Sequence, residues 1–227
     1  MSLLSHSRRI AIVAPHADDE ILGCGGTMAR AVAEGADVHV IVVTRGQPPL
    51  FDEELVQRIR SETLRAHEII GVKSTIFLDF PAANLDQLRR SDLNHALSSA
   101  LARIDPDLLL IPFIGDIHLD HQIVFNAALV HARPRSSTGP SCVAAYETLS
   151  ETNWLAPGVT PAFIPNLFVD ISSTLERKIA AFCSFETQVK PAPDERSVEA
   201  IRALATTRGA TVYRHAAEAF VLIRQIN

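Results

Sequence analysis

Two short polar segments carry the residues best suited to chemistry. The first is Pro15-His16-Ala17-Asp18-Asp19-Glu20, an imidazole followed closely by three acids. An imidazole nitrogen and a carboxylate oxygen are both ligands for a divalent cation. A neighbouring carboxylate that stays off the metal can serve as general base toward water. The alternative for Asp18 and Asp19 is capping of the next helix, where acids near an N-terminus are favourable. The second segment is His118-Leu119-Asp120-His121. Two histidines three residues apart share one side of a turn, and an aspartate between them can fix a ring by accepting its N–H. The alternative is a solvated surface turn. Taken together, a histidine and an aspartate from the first segment and a histidine from the second make a three-ligand site with an open position for water. That chemistry suits zinc without excluding other divalent metals.

A third segment, Gly23-Cys24-Gly25-Gly26-Thr27, reads as a glycine-rich turn opening a helix. A dinucleotide fingerprint GxGxxG would need glycine at position 28, where Met28 stands. The glycines fit a close approach of helix to sheet instead. No electropositive setting supports Cys24 as a nucleophile, and no GxSxG elbow supports a serine hydrolase. His39 reads as a strand residue. Arg58, Arg60 and Arg65 share one helix, and Trp154 could stack on a sugar ring or pack within the fold.

The elements around these segments must deliver them to one place. Residues 10–14, 38–43, 75–78 and 108–111 are short, apolar and rich in branched side chains, as in parallel strands covered on both faces. Helical patterns lie between them, at 27–34 closed by Gly35, at 53–70 closed by Gly71, and at 92–104. Strands alternating with helices imply right-handed βαβ units and a doubly wound sheet. Both polar segments follow strands, so both should emerge at the same sheet edge, where open α/β sheets bind ligands. Further on, 122–131 reads as a helix, 133–141 as a loop and 155–165 as an exposed loop near the site. Strands are expected at 143–148, 166–169 and 220–224, with helices at 175–185 and 196–208.

The 227 residues suit one domain, with a βα core over about 8–131 and a remainder, about 132–227, that completes the pocket. A formal net charge of −5 argues against general nucleic-acid binding, which needs a basic stripe. Cys24, Cys142 and Cys183 are scattered, so neither a disulfide framework nor a cysteine zinc site is expected. No apolar run approaches the roughly 20 residues of a membrane helix. A soluble protein of a reducing cytoplasm, without a membrane span or nucleic-acid partner, is the expectation.

The order Pro15–Glu20, then Leu22–Thr27, then His118–His121 resembles the signature of the PIG-L/LmbE-like deacetylases, with Ala17 where proline is usual. Thr44-Arg45-Gly46, the Glu62…Ala66…Gly71 helix, Phe168–Ile171 and Ala217–Phe220 resemble further family features. The resemblance implies a Rossmann-like three-layer α/β/α fold with a mostly parallel sheet. It also implies a zinc-dependent N-deacetylase acting on an N-acetylated amino sugar or glycoconjugate. Carried over by motif position, His16, Asp19 and His121 would bind zinc and Asp18 would be the general base. His118, in protonated form, would face the reacting carbonyl, with Asp120 orienting it. Arg60 and Arg45 would contact substrate, and a homo-oligomer is a possible assembly. Gln47, Asp116 and Ala82 depart from residues frequent in the family. The competing readings are an amidase on a non-sugar N-acyl substrate, a nucleotide-binding Rossmann enzyme and a non-catalytic glycan binder.

Overall fold

The computed structural model describes residues 4, 7–134, 139–154 and 158–226. Seven strands form one sheet: β1 (Arg9–Ala14), β2 (Asp37–Arg45), β3 (Ser74–Pro81), β4 (Leu108–Ile111), β5 (Cys142–Tyr146), β6 (Leu167–Asp170) and β7 (Ala217–Gln225). Their order is β3-β2-β1-β4-β5-β7-β6. The first five pair in parallel, and β7 runs antiparallel to both β5 and β6.

Six helices cover the two faces: α1 (Asp19–Ala33), α2 (Glu53–Ile70), α3 (Arg90–Ile104), α4 (Leu119–His131), α5 (Leu175–Cys183) and α6 (Val198–Thr211). Strand β1 shows why three layers result. Its Ile10 and Ile12 pack with Leu22, Ile70, Phe182 and Ile201 from α1, α2, α5 and α6. Its Ala11 and Val13 pack with Leu97 and Val124 from α3 and α4. Alternate residues of a strand point to opposite faces, so an apolar run needs a cover on each side. The expected α/β/α architecture with a mostly parallel sheet is therefore present. No helix among the described residues is long and apolar enough to cross a membrane.

Helix α2 matches its predicted span. Asp52 caps it by accepting from the Leu55 amide at 2.7 Å, and Gly71 closes it in the left-handed region at φ 89°. Helix α1 corrects the sequence reading: it starts at Asp19, not Thr27, and the glycines lie inside it. Glycine weakens a helix interior, but packing reverses the preference here. A Cβ on Gly23 would lie 2.3 Å from the Tyr146 ring, and one on Gly26 would lie 2.7 Å from Ile171. The inferred close approach of helix to sheet is thus correct, while the turn is not. Helix α6 likewise begins at Val198, with Ser197 as its cap, leaving Arg196 outside it.

Parts of two expected loops, residues 135–138 and 155–157, lie outside the described residues. The remaining 158–165 stretch passes Gly115, to which Thr160 Oγ1 donates at 3.4 Å.

The chain runs from β1 outward to β3, then returns to place β4 on the other side of β1. This reversal leaves a crevice beyond the carboxyl ends of β1 and β4, the switch point where such sheets bind ligands. The residues after β1 and those after β4 both enter it.

Candidate active site and metal centre

The two polar segments converge there. His16 Nδ1 lies 3.3 Å from His121 Nε2. Asp19 Oδ2 lies 3.4 Å from the first nitrogen and 3.2 Å from the second. Asp19 and His121 are buried, and His16 is partly open to a cavity of about 250 Å³. Asp19 Oδ1 is buried with no hydrogen-bond partner. Each histidine gives its other nitrogen to a carboxylate: His16 Nε2 donates to Asp120 at 3.1 Å and His121 Nδ1 donates to Asp116 at 2.8 Å. That pairing leaves Nδ1 of His16 and Nε2 of His121 as lone-pair donors, the usual outer support of a metal-ligating imidazole.

The electrostatics agree. Burial disfavours the charged imidazole of His16, yet Asp120 and Asp19 overturn it and push its pKa up to about 9. Burial also opposes charge on His121, but Asp19 and Asp116 raise it well above the ordinary histidine value. Burial would raise Asp19, but His121 and His16 hold it well below the usual carboxylate range. A pocket that favours positive charge on two nitrogens facing one carboxylate fits a divalent cation. His16, His118 and Asp120 form a second cluster of donors within 4.8 Å of one another. There, however, Asp120 already accepts from the Ala83 and Leu85 amides at 2.7 and 3.3 Å. The first group has the orphaned oxygen and is the better fit.

Asp18 stands beside this group, at φ 105°, a region that non-glycine residues rarely adopt. Its amide donates to Glu20 Oε2 at 3.2 Å, and His67 in turn donates to Glu20 Oε1 at 3.0 Å. Arg196 Nη1 donates to Asp18 Oδ2 at 2.9 Å. Burial raises the Asp18 pKa to about 7, against the pull of Arg196 and with the help of Asp19 and Glu20. A buried carboxyl poised near neutrality is suited to taking and returning a proton.

His118 caps α4 through Nδ1, which accepts from the Asp120 amide at 3.1 Å. The proton then resides on Nε2, leaving a neutral N–H for the cavity. Protonation of His118, expected from the resemblance, is disfavoured first by burial and then by the charge of His16, which both lower its pKa. Geometry corrects one further expectation. The Asp120 carboxylate orients His16 rather than His118, because the fold brings β1's exit loop closer than the neighbouring residue in the chain.

Arg45 and Arg60 both line the cavity, but each faces an acid: Arg45 lies 2.5 Å from Glu53 and Arg60 lies 2.9 Å from Asp79. Arg58 is directed to Glu62 and Glu186 instead. Trp154 lies outside the cavity and donates to Glu195 at 2.8 Å. Sequence reasoning gave no role to several contributors. Arg196, Gln188 and Glu151 line the cavity, and Asp116 supports His121. Thr152 Oγ1 donates to the other Asp116 oxygen at 2.6 Å. The one available signal was Ser197, a capping residue type that places Arg196 ahead of its helix rather than within it.

Fold and site together define a hydrolase of the open α/β class with a candidate metal centre at the switch point. Residues 11–132 match the family described as PIG-L: GlcNAc-PI de-N-acetylase. A 1D-myo-inositol 2-acetamido-2-deoxy-alpha-D-glucopyranoside deacetylase of Mycobacteroides abscessus is 30% identical over 85% of this chain and 85% of its own. The diacetylchitobiose deacetylase of Thermococcus kodakarensis is 28% identical over 80% of this chain and 70% of its own. Among solved structures, the conserved protein TT1542 of Thermus thermophilus superposes with a TM-score of 0.79 at 26% identity, covering 96% of each chain. The chain belongs to the PIG-L family, and it is a deacetylase, a hydrolase of amide bonds.

Proposed function

We propose that the protein removes the acetyl group from an N-acetylated amino sugar or glycoconjugate. His16, Asp19 and His121 would hold a divalent metal, zinc being the first candidate for two imidazoles and one carboxylate. The convergence of those three donors beside the unligated Asp18 carboxylate carries this reading. When bound, such a cation polarises a carbonyl and lowers the pKa of water to about 7.

The chain's own groups supply the rest. Asp18 takes the proton of the attacking water as the amide carbon becomes tetrahedral. Arg196, on the Asp18 carboxylate, favours the ionised form that can act as base. Nε2–H of His118 donates to the carbonyl oxygen as negative charge gathers on it, a contact typically worth about 3 kcal/mol. Asp18 then returns the proton to the departing nitrogen, releasing acetate and a free amine. Asp120 and Asp116 hold the two ligand rings in register. Arg45 and Arg60 border the substrate cavity. The Mycobacteroides abscessus and Thermococcus kodakarensis deacetylases act on acetylated sugars by their descriptions, and that supports the substrate class.

The test is metal determination on the purified protein, joined to an acetate-release assay over N-acetylglucosamine, its conjugates and non-sugar acetamides. Acetate from the sugars is the expected result. Acetate from non-sugar amides alone would move the substrate class, and none from any compound by metal-replete protein would end the reading.

A further inference from the structure

Behind Asp18, away from the cavity, a row of buried polar groups crosses from α1 through α2 to β3. Glu20 is fully buried, His67 is 3% exposed, and neither lines the cavity. His67 Nε2 donates to Glu20 Oε1 at 3.0 Å, and His67 Nδ1 meets Thr75 Oγ1 at 2.6 Å. The second oxygen, Glu20 Oε2, accepts from the Asp18 amide at 3.2 Å. Burying an acid and an imidazole in a protein interior is unfavourable unless they hold something.

What this pair holds is the backbone of Asp18. That residue precedes α1 at φ 105° and ψ −26°, a conformation rare for any side chain larger than glycine. Its carboxylate makes no capping hydrogen bond and instead meets Arg196 in the cavity wall. Its carbonyl accepts from the Ile21 and Leu22 amides at 3.0 and 2.9 Å, so Glu20 supplies the tie on the amide. Asp18 is 1% exposed, and an amide buried there without an acceptor is unfavourable. Turning Asp18 to an ordinary conformation would move its amide and its carboxylate together. We propose that Glu20 and His67 are positioning residues for the base. The Glu20 carboxylate, steadied by the His67 ring, fixes the Asp18 amide and with it the left-handed backbone that aims the Asp18 carboxylate into the cavity. This rests on the reading of Asp18 as the proton acceptor of a deacetylase and adds the device that sets its direction.

The test measures kcat and KM per folded, metal-loaded molecule, on the N-acetyl sugar that the wild type turns over fastest. Glu20→Ala should lower kcat about 100-fold with KM and metal content little changed. Glu20→Gln is the conservative variant. Its amide oxygen can accept from Asp18, and its NH2 can donate to His67 Nε2 once the ring proton sits on Nδ1, facing Thr75. It should restore most of kcat. His67→Leu should lower kcat in the wild-type chain and add little in the Glu20→Ala chain, because both act through one amide. A crystal structure of Glu20→Ala should show Asp18 outside the left-handed region and its Arg196 contact broken. Where Glu20→Ala does not fold, His67→Leu takes its place in both the kinetic and the crystallographic arm. A merely structural role would lower the unfolding midpoint and leave kcat per folded molecule unchanged, and that result would overturn the proposal. So would Asp18 kept near φ 105° in the variant structure, or Glu20→Gln as slow as Glu20→Ala. Acetate from no compound with the wild type would defeat the deacetylase reading, while the Asp18 backbone in the variant structure would still decide the positioning role.

Discussion

The two halves of the chain contribute to the cavity in different ways. Before residue 122 lie the candidate metal donors and the proton-handling group, gathered in two compact segments at adjacent strand ends. After residue 140 come isolated side chains that hold those segments in place. Arg196 bonds Asp18, Thr152 bonds Asp116, and the buried Lys178–Glu218 pair grips α1. Lys178 Nζ donates to the Leu22 carbonyl at 2.7 Å, while Glu218 accepts from the Gly26 and Thr27 amides at 2.9 and 2.7 Å. Leu22 C=O and Gly26 N–H are partners in a regular helix, so two side chains enter the ladder just behind Asp18 and Asp19. The contrast teaches that donors can be clustered in sequence while their supports need only be close in space.

The largest effect expected from breaking this division is in the first half. His121→Ala should lose its bound divalent metal by elemental analysis and fall to background acetate release. Full occupancy in that variant would remove His121 from the donor set. Asp18→Asn should retain the metal and lose about 10²–10⁴-fold in turnover, and an unchanged rate would remove Asp18 as base. On the other side of the comparison, Glu218→Gln strands the Lys178 charge in the interior. It should cost about 3–5 kcal/mol in denaturant unfolding, with Lys178→Met in the same chain restoring much of the loss. A cost below about 1 kcal/mol would show the clamp on α1 to be dispensable. Asp116→Ala, which frees the outer nitrogen of His121, should weaken metal affinity about 10–100-fold in competition with a chelator. No change there would separate the His121 ring from its support.

The same division explains what could be read from the sequence. Strand β4 and helix α2 sit at their predicted residues because apolar period and caps are local signals. The two polar segments were visible as motifs, and their meeting followed from parallel topology. Helix α1 was misplaced because glycine propensity speaks for a turn, whereas Tyr146 and Ile171, far along the chain, require glycine within the helix. Asp120 was assigned to its near neighbour His118, whereas its carboxylate meets His16 from 104 residues away. Glu151 carries no local mark and Arg196 only the capping type of Ser197 beside it, so the folded cavity is what selects them from the other charged residues.

Strand β7 lies between β5 and β6, and its Glu218 reaches back 192 residues to Gly26 on the helix that bears the candidate site. During synthesis the segments holding His16 and His121 leave the ribosome long before that carboxylate does. The early portion can lay down parallel strands, but the lysine of α5 has no counter-ion until β7 emerges. Maturation of the site is therefore tied to the last strand of the sheet, and a nascent chain halted before it would carry Asp18 and Asp19 at the start of an unsecured helix.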